Sequence, residues 1–396
     1  MANWAGQLNS NEIFSSIFNM IISQQVFADN IGKHQTLVDK ARVDGGLFGD
    51  TKLYYSTDVL TSYVWGAGGI AGSNILAEFR PGDPNCQAIT LNKFRQIPVT
   101  VDSYLSKRAW STEGAFAEFN SVILGWLRET KRVYDGTLYN VFIGTDETSV
   151  GKQSQTWTLT TVNSATPSEA QAQARTRAME IAQKMADLLV DMGDYGRNYN
   201  DNQFLRSYDA GRLKVVWNAK YVNEIKKVDV PTIFNNAGLV DKLDEEVLPE
   251  RYFGTLIDDA TKLAAISAST PAAGYPIDSD DGAYTPGVNN ANGKVCSAIE
   301  NTVTVGGTDY HVFPGDELPA GATVGASKQF GIGEIFVPNA KVIAKVMAEY
   351  PPYMSAFEVG TSFYNPMTLA ENHYLTFGHN TLAHLKEYPM VTIKEA

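Results

Sequence analysis

Between Ser111 and Gly144, apolar and small side chains recur at intervals of three and four. They are Phe116, Phe119, Ile123, Trp126, Thr130, Val133 and Thr137, with Leu127, Tyr134, Leu138 and Val141 widening the stripe. This rhythm predicts one amphipathic helix. Ser111 is placed to cap its start, Glu113 complements the positive end of its dipole, and Gly144 supplies a left-handed stop. At 1.5 Å per residue, about 32 residues reach about 48 Å, well beyond the usual three turns. The pattern predicts a strut whose buried core is Phe116, Phe119, Ile123 and Trp126. Gly114, Gly125 and Gly136 interrupt it. Each costs roughly 0.5–1 kcal/mol against alanine, which implies close backbone contact or slight bending there.

Upstream, residues 11–29 place Ile13, Ile17, Phe18, Ile21, Ile22 and Phe27 in a looser helical rhythm. That segment is either the first helix of a core or an arm laid on a neighbouring subunit, and Trp4 adds an aromatic group near its start. From Leu47 the period changes to two. KLYYSTDVLTSYVW and NCQAITLNKFRQIPVTVDSYLSKRAW predict two antiparallel strands around a loop rich in glycine and proline. Pro98 lacks a backbone donor and points to an edge strand in a hairpin that protrudes from the body. The hairpin leads directly into the strut.

After the strut come a strand candidate, QTWTLTTV, and a helix from Pro167 to Met192. Thr166 is its cap, Glu169 completes a capping box, Gly193 ends it, and its buried face is Ala174, Ala178, Ile181, Met185 and Leu188. RLKVVWN reads as a strand, and the mixture of strand and helix signals predicts an α+β fold. Residues 267–292 shift to small and polar types, a surface excursion, followed by a β insert with a Gly306-Gly307 hairpin turn. GEIFVPN predicts a strand, Asn339 caps a short helix, and further strands run to the end.

Composition narrows the function. The chain of 396 residues carries a net charge of −12 and no basic run, against a general nucleic-acid binder. Cys86 and Cys296 lie far apart without metal spacing, which fits a reducing compartment. The first residues lack a signal-peptide pattern, and no apolar run is long enough to span a membrane. The expected setting is the cytosol, or something assembled there.

Motifs for chemistry fail on spacing. The glycines of GAGGIAG, from Gly66, miss the dinucleotide pattern by one residue, and the segment at Gly151 lacks the rest of a phosphate loop. The acidic turn at Asp278 has Asn289 where a calcium loop needs glutamate. His373, His379 and His384 crowd the C-terminal strands, but strand alternation puts His384 opposite the other two. No nucleophile elbow, zinc helix or Cys-His pair occurs. The expectation is no catalytic, cofactor-binding or metal-binding residue.

The order of elements, with KLYYSTDVLTSYVW, AITLNKFRQIPVTVDSYLSKRAW, EFNSVILGWLRETKRVYDGTLYNVFIG and FEVGTSFYNPMTLAENHYLTFGHNTLAHL as its matching stretches, resembles the major capsid protein of tailed bacteriophages, the Hong Kong 97 fold. The resemblance implies an N-terminal arm and entry to a peripheral domain at 1–46 and an extended hairpin loop at 47–110. It implies the spine helix with a peripheral-domain strand at 111–166, and an axial domain at 167–335 with the β insert near 268–329. Residues 336–396 would be a closing helix and returning strands. It also implies self-assembly into hexamers and pentamers of an icosahedral shell around double-stranded DNA, touched weakly and without specificity. The location is then the virion, and the host cytoplasm during assembly, with no membrane. Many members carry a scaffolding domain before the arm. Here only about 30 residues precede the body, so scaffolding is expected from a separate protein or is dispensable; a portal and a decoration protein are further expected partners.

A hairpin with aromatic arms buries too little alone and needs a neighbour's surface. Trp4, Phe14, Phe18, Tyr63, Trp65, Ile75, Leu76 and Phe79 are the interface candidates. An encapsulin-like cage, or an α+β enzyme with a carboxylate-lined pocket, are the alternatives.

Overall fold

The computed structural model describes residues 36–44, 51–62, 80–102, 113–145, 153–163, 166–227, 244–257, 301–305, 308–312, 323–324, 335–338, 341–380 and 389–396. In chain order these form α1 (Thr36–Ala41), β1 (Arg42–Asp44), β2 (Thr51–Ser56), β3 (Asn85–Asp102), α2 (Glu113–Ile143), β4 (Ser154–Trp157), α3 (Pro167–Gly193), β5 (Lys214–Asn218), α4 (Ala219–Lys227), β6 (Asp244–Leu248) and β7 (Gly254–Ile257). There follow β8 (Asn301–Val305), β9 (Thr308–Val312), β10 (Thr323–Val324), β11 (Ile335–Pro338), β12 (Val342–Met347), β13 (Tyr353–Asn365), β14 (Ala370–Asn380) and β15 (Met390–Glu395). The fold mixes helices with sheets in the α+β manner.

Two five-stranded sheets carry the architecture, ordered β4-β15-β12-β5-β6 and β1-β13-β14-β3-β2. In the first, β12 is central, antiparallel to β15 and β5, and all six of its residues are buried. Its run VIAKVM was expected as a short helix behind Asn339. It is a strand because both its faces are covered, and a short apolar run has no period to separate the two states. On one face α3 packs Ile181, Met185, Leu188 and Leu189 against Val215, Trp217, Ile343, Val346 and Ile393. On the other, the end of α2 brings Leu138, Tyr139, Phe142 and Ile143 onto Val216, Val342 and Met347.

Helix α2 spans 31 residues, close to the predicted length. Gly144 ends it, donating its N–H to the Asn140 carbonyl at 2.9 Å, though not in the left-handed conformation expected of it. Any Cβ there would lie 2.0 Å from the Tyr252 carbonyl oxygen, so only glycine permits this approach. The phase of the stripe is corrected. Leu127, Tyr134, Thr137, Leu138 and Val141 are buried as the stripe predicted, but Trp126 is 48% exposed and Thr130 is also exposed, while Lys131 and Asp135 are buried. The inward face is rotated by about one residue because its polar members find partners on the sheet. Helix α3 matches the sequence reading at Pro167, Gly193 and the buried Ala178, Ile181, Met185 and Leu188, but Ala174 is only half-buried and Thr166 makes no side-chain cap hydrogen bond.

The hairpin is present. Thr51 faces Thr90 and Ser56 faces Asn85 in antiparallel register. β3 runs on past β2, and Pro98 lies in that extension opposite Tyr374 of β14, with no other described strand beside it. Val305 pairs with Thr308 across the Gly306-Gly307 turn. The excursion at 267–292 lies outside the described residues.

Candidate intersubunit surface

The first arm was expected to stay extended to Trp65, but β2 ends at Ser56. The chain there leaves the ladder for the loop after α3. Asp58 Oδ2 meets the Arg197 guanidinium at 2.6 Å, while Oδ1 accepts the N–H groups of Val59 at 2.8 Å and Leu205 at 3.0 Å. Arg206 donates to the Thr57 carbonyl. Asn85 donates to Asn202 Oδ1 at 2.7 Å, and Asn202 in turn donates to Ser56 Oγ at 3.4 Å. The Arg197 hydrogen bond, helped by the Leu205 N–H, holds the Asp58 carboxyl down at about 2. The receiving loop is itself braced: Gly196 and Arg206 exchange two backbone hydrogen bonds of 2.9 Å, and Asn200 brackets Phe204 N–H and C=O at 2.8 Å. A cleft of about 220 Å³, lined by Tyr54, Gln87, Phe204, Arg206, Tyr208 and Arg212, lies under the hairpin. This arrangement ties residues 56–59 to the loop after α3.

What the clamp presents is apolar. Leu53, Tyr54, Tyr55, Val59 and Leu60 are exposed along and just beyond β2. The β13–β14 turn of the same sheet exposes Phe363, Tyr364, Leu369 and Met367, the last at 93%. Asn365 Oδ1 accepts the Met367 N–H at 3.0 Å, and Leu369 holds φ at 56°, so a defined turn with one residue in the left-handed region pushes Met367 outward. Clustered exposed apolar side chains of this size mark surfaces that another molecule covers.

Beneath α2 the same sheet carries a buried polar network. Asp135 accepts from Tyr353 at 2.7 Å and meets Lys131 at 3.2 Å and Arg42 at 3.5 Å; Lys131 also reaches Ser355 Oγ at 3.3 Å. Burial is the main cause that pushes the Tyr353 hydroxyl well above its ordinary range, with Asp135 adding to it. His379 is buried there, with Nδ1 2.9 Å from the Asn380 carbonyl and Nε2 2.7 Å from Tyr134 Oη. A carbonyl only accepts, so Nδ1 carries the proton and Nε2 accepts from tyrosine. Both ring nitrogens are spent on packing. His373 lies on β14 opposite Ser362 and Val99. His384 lies outside the described residues. Among the described residues, no three His, Cys, Asp or Glu side chains converge on a metal-sized space, and no helix is long and apolar enough to cross a membrane.

Of the interface candidates, Trp4, Phe14, Phe18, Tyr63, Trp65, Ile75, Leu76 and Phe79 lie outside the described residues. Phe116, Phe119 and Ile123 fall within α2, but their side chains are also outside the description; Trp126, expected in the core, is on the surface. Sequence reading missed the clamp and the β13–β14 turn. The signal for the turn was present in FYNPMTL, where Asn-Pro marks a turn between apolar residues.

No protein family model matches the chain, and no curated protein matches it in sequence. Solved structures do match. A chain of the Staphylococcus phage Andhra capsid is similar at a TM-score of 0.54 and 10% identity, over 94% of this chain and 87% of that one. A chain in the structure of the head fiber and inner core protein gp22 of native bacteriophage P68 is similar at 0.54 and 10%, over 93% and 87%. At this identity the likeness is one of fold, and it extends over nearly the whole chain.

Proposed function

We propose that this chain is the major capsid protein of a tailed bacteriophage, a structural subunit with the Hong Kong 97 fold and no enzymatic role. The observation that carries the proposal is the likeness in fold, over 94% of the chain, to a phage capsid chain. The clamped hairpin and the exposed apolar turn on one sheet add to it, since both are surfaces that a neighbour would complete. In this reading α2 is the spine helix, the sheet β1-β13-β14-β3-β2 belongs to the peripheral domain and the extended loop, and the sheet covered by α3 is the axial domain. The chain assembles with itself into hexamers and pentamers, in the host cytoplasm and then in the virion. A separate scaffolding protein, a portal, a decoration protein and loosely held DNA are its further partners.

Replacing Gly66–Phe79 by a short Gly-Ser turn tests the role of the hairpin, leaving Asn85 to bond Asn202. The expected outcome is a near-native circular dichroism spectrum with no closed shells. Intact particles at normal yield refute the intersubunit role, and a chain that no longer folds places the tip in the core.

A further inference from the structure

Along α3, Gln173, Arg177, Glu180, Lys184, Asp187 and Asp191 recur at intervals of three and four and so form one row. Its first four members bond the backbone of the chain that continues β4. Lys184 donates to the Thr158 carbonyl at 2.8 Å and Arg177 to the Thr160 carbonyl at 3.4 Å. Glu180 accepts the Thr160 N–H at 2.8 Å, and Gln173 the Asn163 N–H at 3.1 Å. These side chains stand in for a further strand.

β4 itself has no such cover. Successive residues of a strand turn their N–H and C=O to opposite edges. The Trp157 carbonyl accepts from Ala396, just past β15, at 3.0 Å, so Gln155 and Trp157 address β15. Ser154 and Thr156 therefore turn theirs the other way, where no described strand lies. Thr158 and Thr160, which α3 satisfies, have the same parity. A groove of about 640 Å³ is lined by β4 together with Lys184, Asp187, Asp191 and Tyr199. Tyr199 donates to Asp191, Lys184 is already held by Thr158, and no ion pair engages Asp187 among the described residues. Two carboxylates one turn apart repel each other.

We infer that this groove takes an extended, lysine- or arginine-bearing segment of another protein, which adds as a strand to the open edge of β4 and sets a basic side chain against Asp187 and Asp191. The backbone selects the form of the occupant, because an unpaired strand edge is a template for one more strand. The carboxylates select its charge. A second copy of a chain with net charge −12 is the poorer match. The space suits a short segment, since ligand clefts measure about 300–1,000 Å³. Every group involved belongs to one subunit, so the inference stands apart from the capsid reading.

The test uses the full chain and a dye-labelled peptide of alternating lysine and valine, with binding read by fluorescence anisotropy and the thermal midpoint by circular dichroism. Two counterparts accompany it: one with glutamate for lysine, and one N-methylated at alternate residues, which removes strand donors and keeps the charge. The lysine peptide should bind saturably, and both counterparts at least about tenfold more weakly. Asp187→Lys should weaken the lysine peptide by a similar factor. Thr156→Pro should do the same without lowering the midpoint, because proline is tolerated on an edge strand whose N–H faces outward. Should that midpoint fall, the N-methylated peptide on the wild-type chain decides, since it leaves the fold untouched. Equal binding of the lysine peptide and either counterpart overturns the inference, as does no saturable binding up to about 1 mM. Self-association that Thr156→Pro alone abolishes would give the groove to a second copy and overturn it too.

Discussion

The two five-stranded sheets differ in how much of themselves they bury. In β4-β15-β12-β5-β6 every residue of the central strand is buried, with α3 on one face and the end of α2 on the other. In β1-β13-β14-β3-β2 the edge strand is exposed for five of its six residues, and the β13–β14 turn carries Phe363 and Met367 into solvent. Clustered apolar groups of this size are the kind that a neighbouring copy would cover in the proposed shell. The proposed assembly assigns association to the exposed edge and turn of the second sheet, and substitutions there should separate it from the stability that the first sheet supplies.

The largest separation is expected between Phe142→Ala and Phe363→Ala. Phe142 is fully buried at the junction of α2 with the first sheet, so its loss should cost about 3–5 kcal/mol in denaturant unfolding. Phe363→Ala should stay within about 0.5 kcal/mol of wild type while weakening association. Equal stability losses at both positions would erase the distinction. Gly144→Ala comes next: its Cβ would collide with the backbone at Tyr252, not with a movable side chain, and should cost about 1–3 kcal/mol by the same measurement.

A smaller effect sits where α3 is tied to the first sheet. Arg177 holds Glu395 with two bonds of 2.6 and 2.8 Å, meets Glu224 at 2.9 Å, and Tyr221 donates to Glu395 at 2.7 Å. The Arg177 bonds lower the Glu395 carboxyl below its ordinary value. A depressed carboxyl contributes stability above its unfolded pKa of about 4.3 and loses it as pH falls through the lower folded value. Glu395→Gln should therefore cost about 1 kcal/mol at neutral pH, after allowance for solvent screening, and the difference in thermal midpoint should shrink in acid. Least of all should the fold notice Asp58→Asn. Its carboxylate is held at about 2, so the clamp stands above about pH 4 and is lost as pH falls toward 2. The substitution should show as faster proteolysis of the hairpin at neutral pH, with little change in global stability.

How far the sequence reveals this division depends on where each signal lies. Helix α3 was legible because Ala178, Ile181, Met185 and Leu188 keep a helical period on one face, bounded by Pro167 and Gly193. The hairpin was legible from period-two alternation, and Pro98 marked the stretch that β2 leaves uncovered. The phase of α2 was not. Lys131, Asp135 and Asn140 face inward, and a reading by hydrophobicity assigns such residues to solvent. What admits them is partners such as Tyr353 and Ser355, more than 200 residues later in the chain. β12 failed for a related reason: it is apolar on both faces, and its Lys345 is buried by donating to the Thr145 carbonyl. The clamp joins Asp58 to Arg197, two ordinary surface residues until the fold brings them together.

Negative-stain electron microscopy of the purified full chain, concentrated with and without a scaffolding partner, tests the account most directly. Closed shells are expected, or hexameric and pentameric rings that close into shells when the partner is supplied. A field of single 43.3 kDa particles under both conditions would contradict it.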